Sequence, residues 1–193
     1  MVDYRRVRVV NSSYFFTVNL RNRQSKILTQ HIDLLRKSFI ETRIKYPFTI
    51  DAVVILPEHI HTIWTLPPND DNYPTRWQLL KSLFTRKLVK VGINLNKSPK
   101  GEYNLWQRRY WEHVIRDEAD MQRHIEYIHY NPVKHGLVEQ VKDWPHSSFH
   151  RYVEAGLVEL DWGLTFQEHT EQKFGERIPD SASSIRATNL NHP

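Results

Sequence analysis

The sequence contains no cysteine among its 193 residues. This absence excludes disulfides, thiolate catalysis and zinc sites built on cysteine, and it favours a cytoplasmic location. The first residues, MVDYRRVRVV, include no long apolar run, so no signal peptide is predicted there. No segment approaches the roughly 18 apolar residues of a membrane helix. We therefore expect a protein that does not span a membrane.

Aromatic and basic residues are abundant instead. Aromatics make up 12% of the chain, enough to support a core and a folded globular protein. The length suits one domain, predicted over residues 1–162, followed by a loosely ordered polar tail over 163–193. The net charge of +5 and the pI of about 9.4 favour a polyanionic partner. Nucleic acid is the first candidate and an anionic membrane surface the second.

Hydrophobic patterns along the chain predict alternating strands and helices. The last predicted helix is expected to end at Asn131-Pro132, with a shorter helix or turn over 132–137. The order strand, helix, strand, strand, helix, strand, helix predicts an α+β fold with an antiparallel, ferredoxin-like sheet. The predicted strands cover residues 13–20, 48–56, 59–66 and 105–116, and the predicted helices cover 26–45, 75–91 and 117–130.

Two histidines lie two residues apart in the third predicted strand, His59 and His61. Alternate residues of a strand point to the same face, so the two imidazoles can bind one metal ion. The alternative is a pair of ordinary surface or hydrogen-bonding histidines. A metal site needs at least one more ligand: zinc would require a third histidine or a carboxylate, magnesium prefers oxygen, and manganese accepts imidazole more readily.

The last predicted helix holds two tyrosines, of which Tyr127 shares a face with Asn131 at spacing i, i+4. Tyr130 lies about 100° further round the helix from Asn131. His124, three residues before Tyr127, lies on the same side. Tyr127 can therefore share a site with Asn131, whereas Tyr130 is predicted to pack. The alternative is that Tyr127 is a half-buried aromatic and Asn131 a helix C-cap.

Together these features resemble the HUH single-tyrosine transposases, and within them the REP-associated tyrosine transposases. The resemblance runs from about Tyr14 to Tyr152, in segments that occur in the family's order. One departure is Glu58, where many relatives carry Asn before the first histidine; we expect Glu58 to be a turn residue that points away from His59. The matching segments are LPEHIHTIWTLP, TRWQLLKSLF, LWQRRYWEH, YIHYNPVKHGLV and WPHSSFHRY.

The resemblance implies the HUH endonuclease fold and a role for each motif residue. His59 and His61 would bind a divalent metal, Mg²⁺ or Mn²⁺, and Asn131 would complete the site where related insertion-sequence transposases carry Gln. Tyr127 would be the nucleophile, with His124 as an accessory base. The implied function is a metal-dependent endonuclease and strand transferase for single-stranded DNA at palindromic repeat hairpins, through a 5′-phosphotyrosine, in a monomer or homodimer.

Basic residues on the second long helix and around 108 are candidates for DNA binding, because cations hold phosphates and neighbouring aromatics stack on unpaired bases. Each aromatic has the alternative of being core, and each basic residue of being solvated. For the whole chain, the alternatives are a catalytically silent DNA-binding protein of the same fold, a replication-initiator-like nickase and a zinc hydrolase. The candidate cations are Arg76, Lys81, Arg86, Lys87, Lys90, Arg108 and Arg109.

Overall fold

Four strands form one antiparallel sheet in the computed structural model, which describes residues 8–164. The sheet order is β2-β3-β1-β4, and each neighbouring pair is antiparallel. This arrangement confirms the predicted α+β, ferredoxin-like fold. The strands are β1 (Ser13–Asn19), β2 (Thr49–Ile55), β3 (His59–Thr65) and β4 (Trp111–Val114), and the helices are α1 (Ile27–Gln30), α2 (Ile32–Lys45), α3 (Tyr73–Lys90), α4 (Glu118–Lys134) and α5 (Phe149–Glu154).

The two faces of the sheet are buried by different helices. On one face, residues such as Phe16 and Trp64 pack with side chains of α2 and α3, including Trp77. On the other face, Phe15 and Ile63 pack with Tyr127 and its neighbours on α4. Because side chains alternate along a strand, the histidines of β3 share the face of Ile63. The predicted common face of the histidine pair is thereby turned toward α4.

The outer strand β2 is covered by the segment that follows α4. Ile55 N–H donates to the His146 carbonyl at 2.8 Å, and Ser148 N–H donates to the Val53 carbonyl at 2.8 Å. These bonds occupy backbone groups that an edge strand would otherwise expose to another chain. The cover also fixes residues 146–148 against the sheet.

One predicted strand and one predicted helix are shorter or interrupted in the structure. The predicted strand over 105–116 is a strand only at Trp111–Val114, because Trp106 and Tyr110 anchor an irregular segment to the core through their rings. The predicted helix over 26–45 is interrupted at His31, whose φ of −119° and ψ of 38° are not helical. In residues 105–116, the aromatic pattern indicated burial and not a strand.

Helix α4 continues past Pro132 to Lys134, so the predicted end at Asn131-Pro132 is wrong. Proline in the last turn removes its own N–H donor but leaves the turn's other bonds intact. The helix ends in a Schellman motif, in which Leu137 N–H donates to the Pro132 carbonyl and Gly136 N–H to that of Val133, both at 2.9 Å. Gly136 adopts the left-handed φ of 64° that this motif requires. Asn131 therefore lies inside the helix, not at its cap.

Within residues 8–164, none of the helices combines the length and apolarity needed to cross a membrane. The predicted polar tail over 163–193 lies almost entirely outside the described residues.

Candidate active site

The histidine pair of β3 and the tyrosine of α4 meet on one face of the sheet. The rings of His59 and His61 lie 4.7 Å apart between centroids, and the ring of Tyr127 lies 5.1 Å from that of His61. Phe15 contacts both His61 and Tyr127, with ring centroids 5.6 and 6.0 Å away. All three polar rings are at least nine-tenths buried. The structure thus brings together three of the residues singled out by the sequence.

Each imidazole is oriented by a partner on its Nδ1 atom. Thr17 Oγ1, across the strand pair, lies 2.9 Å from His61 Nδ1, and Glu58 Oε1 lies 2.8 Å from His59 Nδ1. His61 Nε2 is buried and has no hydrogen-bond partner among the described residues. This arrangement resembles metal-binding histidines, whose second nitrogen is held by an outer partner.

The Glu58 side chain points in a different direction from the one predicted. It was expected to point away from His59, but its carboxylate contacts that ring because residue 58 precedes the strand and its alternation does not apply there. Burial raises the pKa of Glu58, but the His59 hydrogen bond and the charges of His59 and Arg23 hold it below its ordinary value overall. The carboxylate is therefore ionised at neutral pH and accepts a hydrogen bond from His59 Nδ1–H.

Its surroundings keep the His61 imidazole neutral. Burial lowers its pKa well below the ordinary value of 6.5, and nearby positive charge on His59, His135, Arg23 and Lys134 lowers it further. Neutral imidazole is the form that binds metal.

Asn131 lies one helical turn beyond Tyr127 and is fully buried. Its Oδ1 and Nδ2 atoms have no hydrogen-bond partner among residues 8–164. A buried amide without partners is costly, and a bound ion would satisfy its oxygen. Two imidazole nitrogens and one amide oxygen form a donor set that fits a divalent ion, with manganese more at ease than magnesium among nitrogens.

Two further residues of this site were missed by the sequence analysis. The ring of His135 lies 5.3 Å from that of His59, and Lys134 Nζ lies 5.1 Å from the ring centroid of Tyr127. Positions 131, 134 and 135 follow Tyr127 at helical spacings. The signal was present, but the predicted end of the helix at Asn131 concealed it.

His124 is fully buried in a separate polar cluster near the start of α4. Its Nδ1 lies 2.7 Å from the Asp120 carbonyl, and burial lowers its pKa to about 4. Asp120 Oδ2 also lies 2.8 Å from His113 Nε2, and ligand atoms of these three residues lie within 4.8 Å of one another, close enough for a metal ion. However, Arg116 and Arg123 donate to the same carboxylate, each at 3.1 Å. Those two positive charges oppose a cation there.

Arg76 is part of the fold. It is 2% exposed and donates to both carboxylate oxygens of Asp70, at 3.2 and 2.7 Å, and to the carbonyls of Pro47 and Asn72. Its guanidinium is occupied by protein acceptors and is not available to contact DNA.

The other candidate cations lie on α3 and on the segment before β4. Lys81 donates to the Gln107 carbonyl at 3.0 Å, while Lys87 pairs with Glu41 at 2.7 Å. A groove of about 640 Å³ between α3 and residues 102–110 is lined in part by Lys81, Arg86 and Arg108. Because α3 packs on the opposite face from Tyr127, the structure does not bring these residues to the histidine pair. Exposed members of the set are Arg86, Lys90, Arg108 and Arg109, of which Arg108 pairs with Glu102.

Residues 8–131 match the model of the family described as Transposase IS200 like. A REP-associated tyrosine transposase of Escherichia coli strain K12 is 46% identical over 178 residues, covering 92% of this chain and 99% of that protein. The chain belongs to the REP-associated tyrosine transposases of the IS200-like family. A Haemophilus influenzae protein assigned provisionally to the same group is 49% identical over 165 residues, covering 84% of this chain and 94% of that protein.

A solved structure supports the same assignment. It is described as a REP-associated tyrosine transposase bound to a REP hairpin. Its TM-score to this chain is 0.80 and its sequence is 45% identical. The match covers 93% of this chain and 99% of the chain in that structure. The resemblance stated from the motifs, the fold class and the identification of the chain as a transposase enzyme are thereby confirmed.

Proposed function

We propose that this transposase cleaves and rejoins single-stranded DNA beside a hairpin formed by a palindromic repeat, using Tyr127 as the nucleophile. The observation that carries the proposal is the packing of the Tyr127 ring 5.1 Å from His61, whose Nε2 is buried without a described partner. The REP hairpin bound by the relative of known structure supports a hairpin as the partner.

His59 and His61, through Nε2, and Asn131, through Oδ1, would hold a divalent cation, Mg²⁺ or Mn²⁺. Such an ion supplies positive charge to a non-bridging oxygen of the scissile phosphate. Thr17 and Glu58 fix the two imidazoles by their Nδ1 contacts. Because Asn131 is neutral, we expect weak metal binding, in the millimolar range, with manganese able to replace magnesium.

Tyr127 performs the covalent step. Its hydroxyl oxygen releases its proton to solvent and forms a bond to phosphorus, while the bond between phosphorus and the 3′ oxygen breaks and that oxygen takes up a proton from solvent. The 3′ oxygen leaves and becomes a hydroxyl, and the 5′ phosphate remains on Tyr127. A second 3′-hydroxyl can then attack this phosphotyrosine, which restores the tyrosine and joins the strands without water or ATP.

His124 enters the proposal as an accessory positioning residue. A histidine with a pKa of about 4 is a weak proton acceptor, and its Nδ1 contacts the carbonyl of Asp120. Its packing against Phe15, at 4.7 Å between ring centroids, supports the aromatic residue that contacts Tyr127.

The groove beside α3 is the surface we propose for the DNA flanking the cleaved position. Cations there can hold phosphates, although Trp106 and Tyr110 are more than nine-tenths buried and present little ring surface for stacking. One chain supplies all four residues proposed for the reaction. The reaction therefore needs no residue of a second chain, and both a monomer and a homodimer are compatible with it. The proposed cations are Lys81, Arg86, Lys87, Lys90, Arg108 and Arg109.

One incubation tests the reaction. The protein is mixed with a labelled single-stranded hairpin oligonucleotide and Mg²⁺ or Mn²⁺, and the products are separated on a denaturing gel. We expect a covalent protein–DNA adduct that disappears in Tyr127→Phe and with chelator. Tyr130→Phe is the matched control, since it removes the same hydroxyl from the same helix.

An adduct retained in Tyr127→Phe would overturn the nucleophile assignment. Binding of the hairpin by the wild-type protein without any adduct would instead indicate a catalytically silent DNA-binding protein. Duplex DNA should give little product, and efficient cutting of a duplex would contradict the single-strand preference.

A further inference from the structure

The last turn of α4 places a lysine at the tyrosine of the candidate active site. Lys134 is half-buried, and its Nζ lies 5.1 Å from the centroid of the Tyr127 ring. The neighbouring residue His135 is exposed and its ring contacts that of His59. Neither residue belongs to the histidine–tyrosine–asparagine set on which the proposed function rests.

Helix geometry explains why the lysine reaches the tyrosine. Side chains on a helix lean toward its N-terminus, so a long side chain at position 134 extends back along the face that carries Tyr127 and Asn131. The Schellman motif closed by Gly136 keeps this turn helical after Pro132. A helix that ended at Asn131 would have released Lys134 from this face.

A second cation near the histidines has a different environment. The Nη2 atom of Arg23 is 3.6 Å from Glu58 Oε1, and its Nη1 donates to Asn19 Oδ1. Its charge is therefore balanced by the carboxylate that orients His59. The Lys134 ammonium lies over the aromatic ring whose hydroxyl is the proposed nucleophile.

We propose that Lys134 is a phosphate-binding residue, whose ammonium contacts a non-bridging oxygen of the DNA phosphate that Tyr127 attacks. This inference rests on the proposed function and adds a contact to it. An ammonium within reach of the attacked phosphate offsets its negative charge and holds it in line with the tyrosine. His135 is exposed beside His59.

Two simpler roles make different predictions. A lysine in the last turn complements the helix dipole, and an ammonium over a ring is stabilised by a cation–π contact. Lys45 has both features, since it lies in the last turn of α2 with its Nζ 5.7 Å from the ring centroid of Tyr46. It lies at the end of α2, which packs on the opposite face of the sheet from Tyr127, and it is outside the proposed DNA-binding set. Lys45→Met is therefore the matched control for Lys134→Met.

The test measures charge coupling between the lysine and single phosphates. Binding is measured in a Tyr127→Phe background, which prevents cleavage, with hairpin oligonucleotides that each carry one neutral methylphosphonate at a different position. We expect one position at which the neutral group weakens binding by about 10-fold when Lys134 is present and by little in Lys134→Met. Lys45→Met should keep the full loss at that position, and Lys134→Arg, which retains the charge, should restore most of it.

The position of the phosphate that is coupled to Lys134 decides whether the proposed contact is correct. When the wild-type adduct is mapped, the coupled phosphate should be the one joined to Tyr127. Equal weakening by Lys134→Met for every oligonucleotide, or coupling to a different phosphate, would overturn the proposal. Thermal unfolding of each variant confirms that it is folded.

Failure of the Lys134 contact can be distinguished from failure of the proposed function. The proposed function fails when the wild-type protein forms no Tyr127-dependent adduct, which the binding scan does not require. If the wild-type protein forms the adduct but no phosphate shows coupling to Lys134, the proposed function is supported and the proposed Lys134 contact is wrong. Coupling at a single phosphate in a protein that forms no adduct would overturn both proposals, because Tyr127 then attacks no phosphate, and would leave Lys134 as a phosphate contact of a DNA-binding protein.

Discussion

The Thr17 hydroxyl lies 2.9 Å from Nδ1 of His61, its direct partner on the neighbouring strand. This bond occupies one nitrogen of the ring and leaves Nε2, buried and without a partner in the described part of the chain, for a ligand. The orientation of the proposed metal ligand is therefore set by strand register. A shift of one residue between β1 and β3 would move the hydroxyl to the other face.

Replacing Thr17 by Val tests this relationship. The side chain keeps its shape but loses the oxygen, so the His61 ring is free to rotate and metal affinity should fall by about 10-fold. Mn²⁺ binding measured by isothermal titration calorimetry checks the expectation. Ser13→Ala removes another cross-strand hydroxyl of β1, the one 2.6 Å from Thr65 Oγ1, and should leave metal affinity unchanged. Equal affinities of Thr17→Val and the wild type would show that the ring is held by other contacts.

Gly136→Ala tests the end of α4. The φ of 64° is unfavourable for a residue with a Cβ, and a Cβ there would meet no atom within 4 Å, so the cost of about 1 kcal/mol in unfolding free energy is conformational alone. Urea unfolding measures it. Gly92→Ala, at the end of α3 with φ of 86°, should cost a similar amount. Only Gly136→Ala should also reduce the DNA adduct, because it loosens the turn that holds Lys134; a reduction in both variants would contradict this.

Arg76→Ala should destabilise the protein strongly. The change leaves the partly exposed Asp70 without its ion pair and the Pro47 carbonyl without its donor, and it opens a cavity at a buried side chain, so the unfolding free energy should fall by about 2 kcal/mol. Chemical denaturation provides the value. Arg86→Ala, an exposed change on the same helix, should alter the unfolding free energy by no more than about 0.5 kcal/mol. A small effect at position 76 would return this arginine to the set of DNA-binding candidates.

The burial of His129 predicts that the unfolding free energy of the protein falls in acid. It is buried with its Nε2 3.0 Å from Ser148 Oγ, and burial, aided by the charge of Arg151, lowers its pKa from 6.5 to about 3. Below pH 6.5 the unfolded chain binds a proton that the folded protein does not, so stability falls as the pH decreases.

The measurement compares urea unfolding at pH 7 and pH 5. Over this interval the unfolding free energy of the wild type should fall by about 2 kcal/mol more than that of His129→Gln. Parallel pH profiles for the two proteins would show that the histidine is not held neutral by the fold.

The sequence was sufficient for the outline of the site. Tyr127 was separated from Tyr130 by helical pitch alone, and the structure places Tyr127 at the histidines. The common face of His59 and His61 followed from strand alternation. These features are local, because they depend on spacings of two to four residues within one element, and the periodicity of that element fixes them.

Errors arose where long-range packing overrode a local rule. Proline after Asn131 is a usual stop for a helix, but the following residues close a Schellman motif and carry α4 on to Lys134. Arg76 was a candidate for DNA binding because of its charge and its place on a basic helix, but its guanidinium donates hydrogen bonds to Asp70 and to the Pro47 carbonyl. Spacing along one helix cannot reveal such partners, since they come from other parts of the chain.

The sequence by itself indicated the family and the fold class, because the family's motifs lie in short segments. Strand and helix periodicity also placed each pair of residues proposed for the reaction on one face of its element, and the resemblance implied their roles. Only the tertiary structure decided which nitrogen of each imidazole is available. That choice depends on Thr17, brought to His61 by strand pairing, and on the Glu58 side chain, which folds back onto His59. Packing of α4 across the sheet then decided that Lys134 and His135 join the site, since contacts between distant segments exist only once the chain has folded.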